Sequence, residues 1–185
     1  MKDGVDHAAF RSWLRARMME RAPWDAIVRE IVGGEGRNSP GGAVRERGIA
    51  AMSTTVEPED KGVHGAVNYP LRYRTMVEDL AGKTSRAFLG IQIQCAQCHD
   101  HKTESWTTAQ FRGFAAAFVK TRAVPDGERD KGEMRLYDVK DLPRAKLGPK
   151  APDSAKAIAS VAPRALDGTA LDAEHPRKAL AAWIT

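Results

Sequence analysis

The sequence predicts a mainly α-helical, irregular domain with long loops and a small β component. Apolar residues recur at three- and four-residue spacing in several stretches, which is typical of amphipathic helices. One short run alternates as a half-buried strand does, and segments rich in proline and glycine separate the periodic stretches. The 185 residues are enough for one core, so we predict a single domain over residues 1–185.

Residues 7–33 predict two consecutive helices, the first part of the helical core. The first helix has an apolar stripe formed by Phe10, Trp13, Leu14 and Met18. The second begins near Pro23, which suits a first helical turn, and its stripe is formed by Trp24, Ile27, Val28 and Ile31. Because Trp13 and Trp24 both lie on these stripes, we expect them to pack in the core between two antiparallel helices.

The stretch from Glu35 to Tyr69 has no periodicity and predicts a long loop. It contains a turn of small residues near Pro40 and a polar segment interrupted by Pro58. His64 is the one residue here with ligand chemistry. We interpret it as an exposed loop histidine, and the alternative is a distal ligand that a long loop carries over a cofactor.

Residues 71–122 predict the second part of the helical core. A helical stripe contains Tyr73, Val77, Leu80, Ala87, Phe88 and Ile91, and the same spacing places Cys95 on that face. The segment 87–93 is apolar nearly all round, so we expect it to be buried, as a helix or as a strand. Thr107 and Gln110 have the spacing of a capping box, which predicts a helix with a core stripe of Phe111, Phe114, Ala115 and Phe118.

The last third of the chain predicts loops at 123–175 and a terminal helix at 176–185. The run Met134–Val139 alternates and predicts a short strand, with Ile158–Val161 as a candidate partner strand. Pro176 suits the first turn of the final helix, whose apolar face is formed by Ala179, Leu180, Trp183 and Ile184.

Charge and hydropathy exclude some functions. The net charge is +5, but the basic residues, among them Arg177, are spread along the chain as in a solvated surface. No nucleic-acid-binding module accompanies the charge, so we do not expect nucleic-acid binding. No run approaches the roughly 20 apolar residues of a membrane-spanning helix, so we predict no membrane span.

The segment from Cys95 to His101 carries the most specific chemistry of the sequence. It contains both cysteines and two of the five histidines, in the order Cys-x-x-Cys-His. In a continuous helix, Cys95, Cys98 and His99 would share one face. That arrangement suits a covalently attached haem c, because the two thiols bond to its vinyl groups and His99 is the proximal iron ligand. The leading prediction is therefore a c-type haem-binding module of electron-transfer type.

The haem hypothesis leaves two features of the site open. The sixth iron position is filled by His101, His64 or Met76, or by no protein ligand. Arg86 and Lys102 are candidates to pair with the haem propionates, although ordinary solvated surface is the simpler interpretation.

Three alternatives to haem remain. Cys95, Cys98, His99 and His101 have the composition of a structural zinc site, in which His99 and His101 would be metal ligands; histidines of such sites usually stand three to five residues apart. The two cysteines could instead form a thioredoxin-like redox pair, or be buried inert thiols. No catalytic constellation is present in the pattern, so we do not predict an enzyme.

The chain resembles a domain of unknown function found in large exported planctomycete proteins and commonly described as cytochrome-associated. The resemblance is carried by Phe88–His101, by Trp106 and by the phenylalanine stripe that follows. It extends to Trp13, to the turn Arg21–Asp25, and to two closing segments, Leu166–Gly168 and Arg177–Thr185. In that family a turn with an aromatic residue follows the second histidine, whereas this chain has Lys102–Ser105 there.

The resemblance implies an exported, periplasmic location, with the export signal absent from this sequence, which we expect to be a fragment of a larger protein. It also implies that a redox partner protein or a companion domain of the parent chain is the partner. Because His101 is as regular in that family as His99, the resemblance supports metal binding in general more than it separates haem from zinc.

Overall fold

The computed structural model describes residues 4–41, 62–73, 76–127 and 135–185, and it confirms a mainly α-helical fold with a small β part. The α-helices of these residues are α1 (His7–Met19), α2 (Trp24–Gly33), α3 (Asn68–Arg72), α4 (Val77–Thr84), α5 (Thr108–Ala116), α6 (Asp153–Ala159) and α7 (Pro176–Ile184). The strands are β1 (Gly36–Arg37), β2 (Thr121–Asp126) and β3 (Leu136–Asp141), in the order β1-β3-β2.

The chain divides into two compact units, which are described separately. The first unit comprises Met1–Arg72 and Arg122–Lys140, and the second comprises Tyr73–Thr121 and Asp141–Thr185. The single domain over residues 1–185 stays a prediction. None of the helices in the described ranges is both long and apolar enough to cross a bilayer.

In the first unit, α1 and α2 confirm the predicted helix pair. The Asp6 side chain caps α1 by accepting hydrogen bonds from the backbone N–H groups of Ala8 and Ala9. Trp13 is 1% exposed, and α2 buries Ile27, Val28 and Ile31, as the apolar stripes predict. Gly34 follows the end of α2.

Two members of those stripes lie at the surface, so their predicted core positions are wrong. Trp24 is 62% exposed because it is the first residue of α2, one turn before the first buried residue of that helix. Met18 is also 62% exposed, because it lies in the last turn of α1, beyond the buried Trp13.

The predicted loop of the first unit is ordered where it is described, and it carries a buried polar network. Asn68, which begins α3, accepts a hydrogen bond from the backbone N–H of Asp6 and donates to the carbonyl oxygens of Asn38 and Gly65. The Asp6 carboxylate also accepts a hydrogen bond from the Ser39 hydroxyl at 2.6 Å. These bonds satisfy polar groups whose burial without hydrogen-bond partners would lower the stability of the fold. The segment around Pro58 lies outside the described residues.

The three-stranded sheet confirms the predicted strand and corrects its partner. β3 begins at Leu136, and Met134 lies outside the described residues. Gly36 of β1 pairs with Val139 in antiparallel register. The candidate partner Ile158–Val161 is wrong, because Ile158 lies in α6 and is buried as a helical residue; β2 is the second neighbour of β3 instead.

In the second unit, the predicted helix does not continue through the cysteines. α4 passes into one wide turn, Ser85–Leu89, and Gly90 ends it with a φ of 70°, a left-handed conformation that glycine adopts without strain. The segment that follows is irregular. The predicted burial of 87–93 is therefore wrong for most of its residues: Ala87 is exposed and only Ile93 is buried.

α5 and α7 form the core of the second unit as predicted. The capping box of Thr107 and Gln110 starts α5, and the predicted stripe of Phe111, Phe114, Ala115 and Phe118 is buried. α7 begins at Pro176 and buries Leu180. Arg177 contradicts the prediction of a solvated surface, because it is fully buried against Asp141.

Candidate cofactor site

The Cys-x-x-Cys-His segment lies on a short 3₁₀ helix, Ile93–Gln97, with Cys98 as its C-terminal cap. Ile93 and Ala96 are buried and anchor this turn against α4 and α5. In a 3₁₀ helix, side chains three residues apart eclipse one another. With Cys95 in this helix and Cys98 as its cap, their three-residue spacing favours one side of the turn, although the predicted α-helix is absent.

Both cysteines are exposed free thiols. The interpretation of Cys95 and Cys98 as buried inert thiols is therefore wrong. Their exposure follows from the turn, because burial of Ile93 and Ala96 on one side directs the remaining side chains outward. The two sulfur atoms are accessible to a reagent or a cofactor.

His99 holds a tautomer suited to a metal ligand. Its Nδ1 lies 2.8 Å from the carbonyl oxygen of Asp100. Since a carbonyl oxygen only accepts, the ring donates from Nδ1, and Nε2 of the neutral ring keeps its lone pair. Metal-ligating histidines commonly donate their second ring N–H to a backbone carbonyl in this way. His99 is exposed as a residue.

His101 has the opposite hydrogen-bond pattern. Its Nδ1 accepts hydrogen bonds from the backbone N–H groups of Thr103, at 3.3 Å, and Glu104, at 3.0 Å. The neutral ring therefore carries its proton on Nε2, and the lone pair of Nδ1 is used within the loop. The backbone N–H of His101 also donates to the carbonyl of Trp106 at 2.8 Å. His101 thus organises the loop that follows the motif.

Asp100 links the motif to α5. Its carboxylate accepts a hydrogen bond from the backbone N–H of Thr108, the first residue of α5, at 2.7 Å, while its carbonyl oxygen orients His99. A carboxylate at a helix N-terminus is stabilised by the helix dipole. Sequence reasoning missed this role, because the contact closes a loop of eight residues that has no periodic or capping pattern.

Three further residues were predicted as a possible sixth iron ligand or as partners of the haem propionates, namely Met76, Arg86 and Lys102. Met76 precedes α4 and is 45% exposed. Arg86 and Lys102 are both exposed. No group of three or more histidine, cysteine, aspartate or glutamate side chains that could hold a metal ion is gathered among the residues that the structure describes.

His64, in the first unit, is not the exposed loop histidine that the sequence predicts. Its side chain is 26% exposed, and its Nε2 lies 3.4 Å from the Glu30 carboxylate, which also accepts a hydrogen bond from the Trp13 indole. The imidazole lies against the Trp13 ring, with 6.1 Å between the ring centroids. Burial lowers the pKa of His64, which the charge of Glu30 opposes and that of Arg17 reinforces.

The fold and the site define a mainly α-helical protein with an exposed Cys-x-x-Cys-His turn. The chain belongs to the PSCyt2 family, described as a protein of unknown function (DUF1549), whose profile matches residues 2–123 of the 185. The matched region contains both cysteines and the two histidines of the motif. Neither a curated protein nor a solved structure matches the chain.

Proposed function

We propose that the chain is a c-type haem-binding module of electron-transfer type. In this proposal Cys95 and Cys98 carry the haem c through thioether bonds, and His99 is the proximal ligand of its iron. The observation that supports it best is the contrast between the two histidines of the motif. His99 keeps the Nε2 lone pair that an iron ligand needs, whereas His101 uses its Nδ1 lone pair in the loop.

The two thiols have the accessibility that haem attachment needs. Cys95 and Cys98 are exposed and free on one turn, and they have the three-residue spacing that attachment to one edge of a porphyrin needs. The iron of a bound haem would supply one-electron redox chemistry. The chain's own contribution is to hold the thiols on an anchored turn and to orient one imidazole.

The orientation of His99 comes from its neighbour. The Asp100 carbonyl holds the Nδ1 proton of His99, and the Asp100 carboxylate is itself held by the N-terminus of α5. Such a hydrogen bond fixes the tautomer and raises the basicity of the ligating nitrogen. Asp100 is therefore the positioning residue of the proposed iron ligand.

A structural zinc site is the alternative, and the donor set favours it less. Tetrahedral zinc needs four ligands, which here are Cys95, Cys98, His99 and His101. To ligate through Nδ1, His101 would give up two hydrogen bonds from backbone N–H groups, and to ligate through Nε2 it would lose the proton there. A covalently attached haem needs only Cys95, Cys98 and His99 and leaves the hydrogen bonds of His101 intact.

Location and partners follow from the proposed chemistry. Haem c is attached in exported compartments, so we place the protein in the periplasm or otherwise outside the cytoplasm. An electron-transfer module needs a redox partner protein or a companion domain that exchanges electrons with it. The exposure of the motif leaves one side of the turn open to such a partner.

The test is expression of the chain in a host that attaches haem to exported proteins. We expect a Soret band and a haem that stays bound to the denatured chain. The double variant Cys95→Ser/Cys98→Ser should lose the covalent haem. His99→Ala should keep it but change the spin state of the iron, whereas His101→Ala should leave the spectrum close to that of the native sequence.

The zinc alternative predicts different results for the same proteins. A colourless protein with one zinc ion per chain, released by His101→Ala as readily as by His99→Ala, would contradict the haem proposal. A protein that binds neither haem nor zinc under these conditions would contradict both interpretations of the motif.

A further inference from the structure

The turn between α1 and α2 concentrates exposed apolar surface. Met18 is 62% exposed, Met19 68% and Trp24 62%. They are three of the six large hydrophobic side chains that are exposed in the described part of the chain, and they lie within one stretch of seven residues. The other three, Met76, Val124 and Val161, are separate in sequence. Contiguous exposed apolar side chains mark interaction sites more often than isolated ones do.

The backbone at this corner is strained in a specific way. Arg21 has a φ of 55°, the left-handed conformation in which glycine is the usual residue. Its N–H bonds to the Met18 carbonyl at 3.1 Å, and the Ala22 N–H bonds to the Arg17 carbonyl at 2.9 Å. These two bonds form a Schellman motif, which normally ends in glycine. Here the motif carries an exposed arginine beside the three apolar side chains.

The charge around the corner is mainly positive. Residues 11–30 contain five arginines and three acidic residues. All three acidic side chains are paired locally, Glu20 and Glu30 with Arg17 at 2.8 and 3.2 Å, and Asp25 with Arg29 at 3.7 Å. Arg11, Arg15 and Arg21 are exposed in the same segment. An apolar tip with three exposed arginines in the same segment is complementary to a surface that is apolar inside and anionic outside.

We infer that the corner formed by Met18, Met19, Arg21 and Trp24 docks on an anionic lipid surface. The two methionines and Trp24 enter the membrane–water interface, where tryptophan is enriched in membrane proteins. Arg21 pairs with a lipid phosphate. A standard protein interface uses about 20–30 residues on each side, and three apolar side chains are few for that. A lipid surface needs no matching shape. This inference is independent of the proposed haem binding.

The test is sedimentation of the 185-residue chain with phosphatidylcholine vesicles that contain or lack phosphatidylglycerol. We expect binding to the anionic vesicles, which weakens in high salt, and little binding to phosphatidylcholine alone. The triple variant Met18→Ser/Met19→Ser/Trp24→Ser should bind about tenfold more weakly or worse, since its apolar contribution is removed. Met76→Ser, an exposed methionine elsewhere, is the matched control and should bind as the native sequence does.

Arg21→Gly separates docking from folding. Glycine relieves the positive φ, so this variant should unfold at a higher temperature. It should nevertheless bind anionic vesicles about fivefold more weakly, the effect of one arginine at a lipid surface. Absence of vesicle binding by the native chain would overturn the inference. Self-association of the chain through the corner, without vesicle binding, would overturn it too. Equal losses in the triple variant and Met76→Ser would overturn it as well.

Discussion

Arg177 is fully buried in the second unit, with its Nε 2.9 Å from Oδ1 of Asp141. The hydroxyl of Thr121 donates to the same carboxylate oxygen at 3.0 Å. The pair joins α7 to Asp141, which lies 36 residues before Arg177 in the chain. Because both ions are removed from water, each is stable in the core only with the other present.

Arg177→Met should lower the free energy of unfolding by about 3–5 kcal/mol, since it leaves the Asp141 charge buried without its counter-ion. Urea denaturation measures this change. Arg144→Met is the control, because Arg144 is exposed and its replacement should change the stability by no more than about 0.5 kcal/mol. Similar losses in both variants would contradict the assignment of the effect to the buried ion pair.

The double variant Asp141→Leu/Arg177→Met should lose less stability than the sum of the two single variants. Replacing a whole buried ion pair by apolar groups is often nearly neutral, whereas removing one partner is costly. The coupling free energy from the double-mutant cycle should therefore be well above about 0.5 kcal/mol. Additive losses would contradict a direct energetic link between the two residues.

Gly65→Ala should destabilise the first unit by about 1–3 kcal/mol through overpacking. A methyl group there would collide with the carbonyl oxygen of Ala9 and lie 2.5 Å from Cβ of Trp13. Gly148→Ala is the matched control, because no atom lies within 4 Å of the added carbon. Thermal unfolding of both variants tests the prediction, which fails if the two melt at the same temperature.

His64 makes stability depend on pH in a defined direction. Burial lowers its pKa in the folded protein below the ordinary 6.5, so the unfolded chain binds the proton more readily. The contribution of the neutral His64 ring to the free energy of unfolding is present above about pH 6.5 and is lost as the pH falls through the folded-state pKa. No hydrogen-bond partner for its buried Nδ1 lies in the described part of the chain, so a second proton there is poorly accommodated.

The measurement is urea denaturation of the native sequence and of His64→Gln at about pH 7.5 and about pH 5.5, on either side of the ordinary histidine pKa. The native protein should lose more stability on acidification than His64→Gln does. His175→Gln, at an exposed histidine, should keep the full pH dependence of the native protein. An unchanged pH dependence in His64→Gln would contradict this account.

Asp100→Ala should destabilise the start of α5 by about 1 kcal/mol, because the Thr108 N–H loses its acceptor. Asp100→Asn keeps an acceptor oxygen and loses only the charge near the helix N-terminus, so its effect should be smaller. Hydrogen exchange at the Thr108 amide reports the bond directly and should accelerate in the alanine variant. Equal acceleration in both variants would mean that the charge alone holds this contact.

Local patterns in the sequence predicted the features that depend on neighbouring residues. The capping box of Thr107 and Gln110, the burial of Trp13 and the start of α7 at Pro176 were all predicted correctly, because each is decided within one or two helical turns. The exposed Trp24 shows the limit of such patterns. A periodic stripe marks a face but not the point at which the packing against that face ends.

The motif itself was recognised from residue types alone, but its local structure was not. The predicted helix would have continued to Cys98, whereas Gly90 ends the preceding turn and a 3₁₀ helix carries Cys95. The spacing of three residues places the two thiols on one side in either kind of helix. The placement of both thiols on one side therefore stays a prediction from their spacing, although the predicted secondary structure is wrong.

The sequence by itself determined the helical class, the cap of α5 and the order Cys95-x-x-Cys98-His99. Only the tertiary structure decided that His99 and His101 hold different tautomers, and that Arg177 is buried rather than solvated. Tautomers depend on which backbone groups a folded loop brings to each ring nitrogen. Burial of an arginine depends on a carboxylate that lies 36 residues away in the chain. Neither is encoded in a local pattern, because both arise from contacts that exist only after folding.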